Sequence, residues 1–197
     1  ERVFYYITVM NENYVQPALP GGAEEGILRG MYRLRSGAPQ KRHVQLLGSG
    51  TILREVLAAA EMLEKDFQVS SDVWSVTSFS ELRRDGIDCE RWNMLHPAES
   101  PRHSYVATSL AGQAGPCIAA TDYMRIVADQ IRPWVPGRYV VLGTDGYGRS
   151  DSRAALREFF EVDSRYVVIA ALKALADEGS IDAAVVAKAI ATLGIDP

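Results

Sequence analysis

Short apolar segments alternate with amphipathic segments along most of this 197-residue chain, and this alternation constrains its fold more than any other feature. Four of the short segments, 43–47, 72–76, 117–120 and 138–142, are mostly apolar without a regular polar alternation, as buried strands are. Strands of this kind, separated by helical segments, predict a mostly parallel sheet that is covered by helices on both faces. We therefore expect an α/β fold with three layers, α/β/α, around a sheet of about five strands.

The segments between these strands have helical periodicity. Apolar residues between positions 52 and 67 recur on one helical face. Further helices are predicted after Thr121, which can cap the first of them, and over residues 151–160, 164–177 and 182–193, the last of which Ser180 can cap. Residues 77–88 predict a loop with at most a short helix.

The first forty residues differ in character from the rest. Residues 3–10 are almost wholly β-branched and aromatic, which predicts a strand, whereas residues 11–22 contain the prolines and glycines of a loop. Two glycines between positions 24 and 32 disfavour a stable helix. We therefore predict that residues 1–40 are a trailing strand and linker from a preceding domain and that residues 41–197 form the C-terminal α/β domain, as in a chain cut from a longer protein.

The composition excludes several classes of protein. The formal net charge is −4, which gives no general attraction to nucleic acid or to an anionic membrane. No apolar run approaches the length that a bilayer-spanning helix requires. Two cysteines, Cys89 and Cys117, are too few for a disulfide framework, and reduced thiols in a cytoplasmic protein are the expectation.

The segment Gly48-Ser49-Gly50-Thr51 joins a predicted strand to a predicted helix. Ligands of open parallel sheets bind beyond the carboxyl ends of the strands, where backbone amides at a helix start can hold a phosphate. However, Leu53 replaces the third glycine of a dinucleotide-binding motif, and no Gly-Lys-Ser/Thr of a P-loop follows. A plain tight turn and an anion site therefore both remain as interpretations.

The loop after the last predicted strand, residues 143–153, contains three glycines and many polar side chains. Such a loop can approach a ligand or a partner closely with its backbone. Its candidate residues for an active-site entrance or an interface are Asp145, Tyr147, Arg149, Ser150, Asp151 and Arg153. The alternative is that Asp145 makes a local turn bond and that Ser150, Asp151 and Ser152 cap the next helix.

No self-sufficient active site is apparent in the residues. The three histidines, His43, His96 and His103, lack the spacing of metal ligands, and neither Ser49 nor Ser150 lies in a Gly-x-Ser-x-Gly nucleophile motif. The segment 83–92 mixes arginines with acidic residues, which is typical of a salt-linked surface or a subunit contact.

Several longer motifs carry a resemblance to a known family. The two most specific run from Asp88 to Pro97 and from Gly143 to Arg153, and shorter ones occupy positions 11–14, 20–27, 44–50, 75–79 and 121–124. With these motifs the chain resembles the C-terminal end of the homodimeric, bacterial-type pyruvate dehydrogenase first component, the decarboxylating, acetyl-transferring subunit.

The resemblance implies a fold like that of the transketolase C-terminal domain. It also implies that the full enzyme uses thiamine diphosphate and magnesium to decarboxylate pyruvate, and then reductively acetylates the lipoyl group of dihydrolipoamide acetyltransferase. A cytoplasmic homodimer without nucleic-acid or membrane partners is the implied form.

The chain departs from the cofactor-binding pattern of such enzymes, in which Gly-Asp-Gly is followed further along by an asparagine that helps to hold magnesium. Its only similar string is Thr144-Asp145-Gly146, and no asparagine follows Asn93. We therefore assign no catalytic, cofactor-binding or metal-binding residue, and we expect the fragment alone to bind no cofactor and to be inactive. Its expected role is structural, in dimer contacts and as a wall of the active-site entrance. The alternative is a free-standing α/β module that binds a phosphorylated or nucleotide ligand at Gly48 to Thr51.

Overall fold

A five-stranded sheet forms the centre of the computed structural model, which describes residues 2–7, 9, 13–38 and 40–196. Its strands are β1 (Met31–Arg35), β2 (His43–Ser49), β3 (Ser70–Val76), β4 (Cys117–Ala120) and β5 (Tyr139–Leu142). Their order across the sheet is β1-β3-β2-β4-β5. All neighbouring pairs are parallel except β1 with β3 at the edge, which confirms the predicted mostly parallel sheet.

Helices cover both faces of this sheet. They are α1 (Glu24–Arg29), α2 (Leu53–Phe67), α3 (Phe79–Leu95), α4 (Tyr105–Leu110), α5 (Arg125–Asp129), α6 (Arg153–Phe159), α7 (Ser164–Asp177) and α8 (Ala183–Thr192). One buried cluster joins α2, α7 and α8 to one face, and a second joins α3, α4 and α5 to the other. The three-layer α/β/α architecture is therefore confirmed. None of the helices formed by the described residues combines the length and apolar character that a bilayer-spanning helix needs.

The alternation of side chains along a strand explains why the central strands carry apolar residues at consecutive positions. Leu46 belongs to the cluster on the α2 face and Leu47 to the cluster on the α3 face, and neither is exposed to solvent. In β4, Ile118 and Ala119 divide between the two faces in the same way. Each buried leucine contributes about 1.5–3 kcal/mol relative to an exposed one, so both layers stabilise the sheet.

The edge strand β1 corrects the predicted domain organisation. Residues 24–35, which fall within the linker predicted for 1–40, instead form α1 and β1. Gly30 makes the turn between them with φ +106°, and Met31 is fully buried opposite Val76 of β3. A side chain at Gly30 would collide with the carbonyl oxygen of Ser78, since its Cβ would lie 2.6 Å away. The assignment of the residues before 24 to a preceding domain stays a prediction.

The predicted strand over residues 3–10 is not observed in the described part of that segment. Phe4, Tyr5 and Tyr6 are 92%, 85% and 89% exposed, and residues 3–7 and 9 have no strand partner within the described chain. A single strand without neighbours leaves its backbone hydrogen bonds unmade, so β propensity alone does not produce one. Thr8 and Met10 of this segment, and Asn11 and Glu12 of the predicted linker, lie outside the described residues.

Helix α3 is much longer than the short helix predicted within 77–88. The Ser78 hydroxyl caps it by accepting a hydrogen bond from the amide of Glu81 at 3.1 Å. Gly86, which disfavours helix by propensity, lets the Trp134 ring pack directly on the helix, since a Cβ there would lie 2.5 Å from the indole. Packing with a residue 48 positions away thus overrides the local preference.

Candidate functional site

The carboxyl ends of β2 and β4 are joined by a buried hydroxyl pair. Ser49 Oγ donates a hydrogen bond to Thr121 Oγ1 at 2.8 Å, and the amide of Tyr123 donates to the same Thr121 oxygen at 3.2 Å. Thr121 is fully buried and does not cap the following helix as predicted, since the N-cap residue of that helix is Met124. That helix, α5, begins at Arg125, and Thr121 instead fixes the relative position of two strand ends.

The loop after β5 is hydrogen-bonded to the loop after β4. The amide of Thr144 donates to the carbonyl oxygen of Tyr123 at 2.9 Å, and the Thr144 hydroxyl donates to the carbonyl oxygen of Asp122 at 2.7 Å. The polar segments that follow β2, β4 and β5 therefore form one continuous surface at this edge of the sheet, which we call the carboxyl edge. This is the edge at which open α/β sheets bind their ligands.

Asp145 has a structural role that the sequence did not reveal. Its Oδ1 accepts a hydrogen bond from the amide of Arg125 at 2.9 Å, and its Oδ2 lies 3.7 Å from Nε of the same arginine. The carboxylate therefore satisfies the first amide of α5 from a separate loop, where an acidic group is favourable. The expected local turn bond of Asp145 is replaced by this contact across twenty residues.

Of the three residues that the helix-cap interpretation names, Ser152 caps α6. Ser152 is the N-cap residue, and its Oγ accepts from the amide of Ala155 at 3.3 Å. Asp151 accepts from the amide of Ser152 at 2.7 Å and so stabilises the turn before the cap. Ser150 is exposed. Asp145, Asp151 and Ser152 thus shape the backbone of the 143–153 loop.

The remaining candidate residues line a cleft of about 330 Å³ between this loop and α6. Tyr147 is 97% exposed, and the Arg149 guanidinium lies 4.2 Å from the ring centre of Phe159. Arg153 lines the same cleft, where Thr51, Asp122 and Thr144 contribute polar groups. The apolar part of the lining consists of Ile52, Leu156, Phe160 and Val162. The geometry thus brings Tyr147, Arg149 and Arg153 to one cleft with an apolar floor.

One ion pair near the cleft was not predicted. Arg157 of α6 lies 2.9 Å from Glu55 Oε1, and Glu55 Oε2 accepts from the amide of Ser164 at 3.1 Å. Both charged side chains are 18% exposed, so water screens this pair less than a surface pair. Glu55 therefore ties α6 and the start of α7 to α2. A charge pattern cannot reveal a pair separated by 102 residues.

The carboxylate of Asp122 lies beside the Gly48–Thr51 turn, where an anion site would need positive potential. Thr51 Oγ1 donates to Asp122 Oδ2 at 3.4 Å, and Asp122 Oδ1 lies 3.4 Å from the position that a Cβ on Gly50 would take. A bound phosphate would be repelled by this carboxylate. The tight-turn interpretation of this segment is favoured for that reason.

The described residues do not fit the magnesium ion that the resemblance implies. Among residues 2–7, 9, 13–38 and 40–196, no group of three or more His, Cys, Asp or Glu side chains could share a metal ion. The carboxylate of the Thr144-Asp145-Gly146 string points to Arg125 instead.

The thiols and histidines lie away from the cleft. Burial raises the pKa of Cys117 to about 12 and also raises the pKa of Cys89, so both are neutral thiols near pH 7. His43 Nε2 lies 3.3 Å from Asp72 Oδ2 at the opposite end of the sheet, and His96 stacks on Trp92 with ring centres 4.4 Å apart. None of these four residues lines the cleft.

The arginine-rich segment 83–92 is salt-linked, as one of its two interpretations predicted. Arg84 pairs with Glu81 and Asp88 along α3, and Asp85 accepts a hydrogen bond from the amide of Tyr105 at 2.5 Å. Trp134 Nε1 donates to Glu90 at 2.9 Å. These contacts hold the α3 layer together.

Comparisons with known proteins give the chain a family context. Residues 30–163 match the model of the transketolase-like TK C-terminal domain family. The chain is 64% identical to the pyruvate dehydrogenase E1 component of Pseudomonas aeruginosa, over 99% of this chain and 22% of that protein. It is 60% identical to the pyruvate dehydrogenase E1 component of Escherichia coli, over 100% of this chain and again 22% of that protein. The chain thus spans about a fifth of the length of these curated relatives.

The fold is also found in solved structures. A transketolase from Pichia stipitis superposes with a TM-score of 0.54 at 18% identity, over 84% of this chain and 21% of that chain. At this identity the likeness concerns the fold, and it agrees with the three-layer sheet described above.

Proposed function

Because the chain belongs to the family of transketolase-like C-terminal domains, we propose that it forms the C-terminal domain of a pyruvate dehydrogenase E1 component. The observation that carries this proposal is the 64% identity to such a component along 99% of the chain. This identity includes far more than the apolar core, so surface residues are shared as well. A free-standing phosphate-binding module is not favoured, since Asp122 lies at the only turn proposed for it.

In this proposal the complete enzyme decarboxylates pyruvate and reductively acetylates the lipoyl group of dihydrolipoamide acetyltransferase. Thiamine diphosphate supplies the carbanion-stabilising chemistry when bound. We assign the cofactor and its magnesium to parts of the enzyme outside this chain, because the described residues offer no metal site. We further propose that the enzyme is a cytoplasmic homodimer and that this chain alone is inactive.

The 143–153 loop is the part of this domain that we propose to face the active-site entrance. Tyr147 is almost fully exposed, and Arg149 and Arg153 line a cleft at the carboxyl edge. Their positive charges can attract an acidic substrate or partner surface. Asp145 and Asp151 act as positioning residues, since their carboxylates bond to backbone amides of the surrounding turns.

A domain exchange tests the proposed function. The C-terminal segment of the Escherichia coli E1 component that aligns with this chain is replaced by residues 1–197, and pyruvate-dependent acetyl transfer is measured in the assembled complex. We expect a chimera with activity close to that of the parent. The matched control carries the corresponding part of the Pichia stipitis transketolase, which shares the fold at 18% identity, and should be inactive. A folded but inactive chimera with residues 1–197 would refute the proposal.

A further inference from the structure

Helix α6 contributes less to the buried core than the helices beside it. All seven of its residues are described by the structure, and none of them is buried. In contrast, α2 and α7 place four and six buried residues in the core. Packing of an apolar face is the main force that fixes a surface helix to its domain. We therefore expect α6 to open more readily than α2 or α7.

The chain on either side of α6 is anchored, and a residue with positive φ separates α6 from each anchor. Before α6, Gly143 packs so closely on the loop after β4 that a Cβ there would lie 2.8 Å from the amide nitrogen of Arg125. After α6, Val162 belongs to the core and is 1% exposed. Between these anchors Gly146 has φ +104° and Glu161 has φ +58°. Glycine changes its backbone angles readily, and a non-glycine residue in the left-handed region is strained, so both positions can act as hinges.

An ion pair joins α6 to α2 at the side of the cleft. Arg157 of α6 lies 2.9 Å from Glu55, and both side chains are 18% exposed. Glu55 also accepts a hydrogen bond from the amide of Ser164 at 3.1 Å, so α7 holds its carboxylate independently of α6. A second pair, Glu158 with Arg165 of α7, has the same length, but the Glu158 side chain is 59% exposed and water screens this pair more strongly. The Glu55–Arg157 pair is therefore the stronger of the two.

The cleft at the carboxyl edge lies between a wall that can move and a wall that is fixed. Leu156 and Phe160, on the segment between the two hinges, belong to the first wall. Thr51 and Thr144 belong to the second, and both are hydrogen-bonded to the loop after β4. Movement of α6 about the hinges therefore opens or closes the cleft.

We propose that residues 146–161 form a lid over this cleft, which is hinged at its two ends and latched by the ion pair between Glu55 and Arg157. The lid carries Tyr147 and Arg149, so its opening moves these side chains away from the fixed wall. The consequence for activity rests on the proposed function, in which Arg149 attracts a partner to the active-site entrance. The lid itself does not depend on that function.

Hydrogen exchange of the intact polypeptide that carries this chain, followed by mass spectrometry, tests the lid without measuring activity. A helix of seven residues is not stable when detached, so the amides of residues 156–160 exchange when the lid opens. Where closing is faster than exchange, the exchange rate follows the population of the open form. The loss of a partly buried ion pair should raise this rate about five- to thirtyfold.

Variants at the latch have a matched control at another ion pair. Arg157→Met removes the charge and keeps most of the apolar stem, and Glu55→Gln removes the charge and keeps an oxygen for the amide of α7. Both should raise the exchange rate of residues 156–160. Arg138→Met breaks the pair with Asp177, in which the charged atoms lie 3.2 Å apart at the far end of α7, and should leave this rate unchanged.

Variants at the first hinge separate the opening of a lid from fraying of α6 at its own end. Gly146→Ala strains the closed form, because alanine disfavours a φ of +104°, and should raise the exchange rate of α6 severalfold. Gly148→Ala is the matched control, since Gly148 is not in the left-handed region and a Cβ there meets open space, and it should not raise the rate. Fraying from the N-cap, Ser152, would not respond to a substitution six positions earlier.

Three results would overturn the proposal. The first is exchange of α6 at the parent rate in both latch variants, or an equal rise in Arg138→Met. The second is an equal rate in Gly146→Ala and Gly148→Ala. The third is an equal rise in α6 and in the amides of residues 167–172 of α7, which would indicate general unfolding. Because hydrogen exchange does not measure acetyl transfer, these outcomes stay distinct from a failure of the domain exchange.

Discussion

Replacement of Thr121 by valine should measurably destabilise the domain although the two side chains have nearly the same shape. The substitution removes the oxygen that accepts hydrogen bonds from Ser49 Oγ at 2.8 Å and from the amide of Tyr123 at 3.2 Å. Thr121 is fully buried and Ser49 is 7% exposed, so water does not readily replace the lost acceptor for the serine. A buried donor left without an acceptor costs about 1–3 kcal/mol. We expect the free energy of unfolding to fall by about 2 kcal/mol, because the Tyr123 amide lies nearer to solvent and water can partly replace its lost acceptor.

Thermal unfolding of the 197-residue chain measures this effect. A loss of about 2 kcal/mol corresponds to a decrease in Tm of about 4–8 °C for a domain of this size. Thr121→Ser keeps the oxygen and is the matched control, which should lose less stability than Thr121→Val. In a double-mutant cycle with Ser49→Ala, the double variant should be less destabilised than the sum of the single variants by about 1 kcal/mol. A Thr121→Val variant that melts like the parent, or strictly additive single variants, would refute the argument that this hydroxyl pair joins the ends of β2 and β4.

Two further outcomes follow from the metal and thiol chemistry of the chain. Calorimetric titration of the isolated chain with thiamine diphosphate and magnesium should show no binding, and a dissociation constant in the micromolar range or tighter would contradict the assignment of the cofactor to other parts of the enzyme. The free energy of unfolding should fall as the pH rises from about 9 towards 12. Burial raises the pKa of Cys117 to about 12, so in this range the unfolded chain loses its thiol proton while the folded chain keeps it. Burial likewise raises the pKa of Tyr139, so Cys117→Ala should remove only part of the alkaline loss when unfolding is followed by circular dichroism.

The elements predicted best from the sequence are those whose signals are local. Strand β4 and helix α7 have the predicted bounds, 117–120 and 164–177, because an apolar run and a 3.6-residue period identify them without outside help. Strand β1 was missed, since it is an edge strand that follows a glycine turn and becomes a strand only by pairing with β3. Helix α3 was underestimated for a similar reason, because the Trp134 ring compensates for Gly86 from a distant segment.

In the candidate site too, the sequence predicts local features but not the contacts between distant residues. The sequence correctly located polar loops after the strands, and the parallel topology brings these loops to one edge. It could not assign their bonds, since Asp145 contacts Arg125 across twenty residues and Ser49 contacts Thr121 across 72. It also predicted caps at Thr121 and Ser180, whereas Thr121 is buried between strands and Asp182 caps α8 by accepting from the amide of Ala184. Short polar side chains near a helix start compete for this role, and tertiary contacts decide which of them fills it.

The central claim, that the 143–153 loop serves the entrance of a larger acetyl-transferring enzyme, is tested most directly by acetyl-transfer rates of Arg149→Ala and Arg153→Ala in that complete enzyme. We expect severalfold slower transfer to the lipoyl partner at low ionic strength and a smaller effect at high salt, because the charges attract an acidic partner and salt screens that attraction. Arg91→Ala, on the exposed surface of α3, is the matched control and should transfer at the parent rate. The contradicting result is unchanged transfer in both arginine variants while Ser152→Ala alone lowers Tm, which would make the loop an ordinary helix cap.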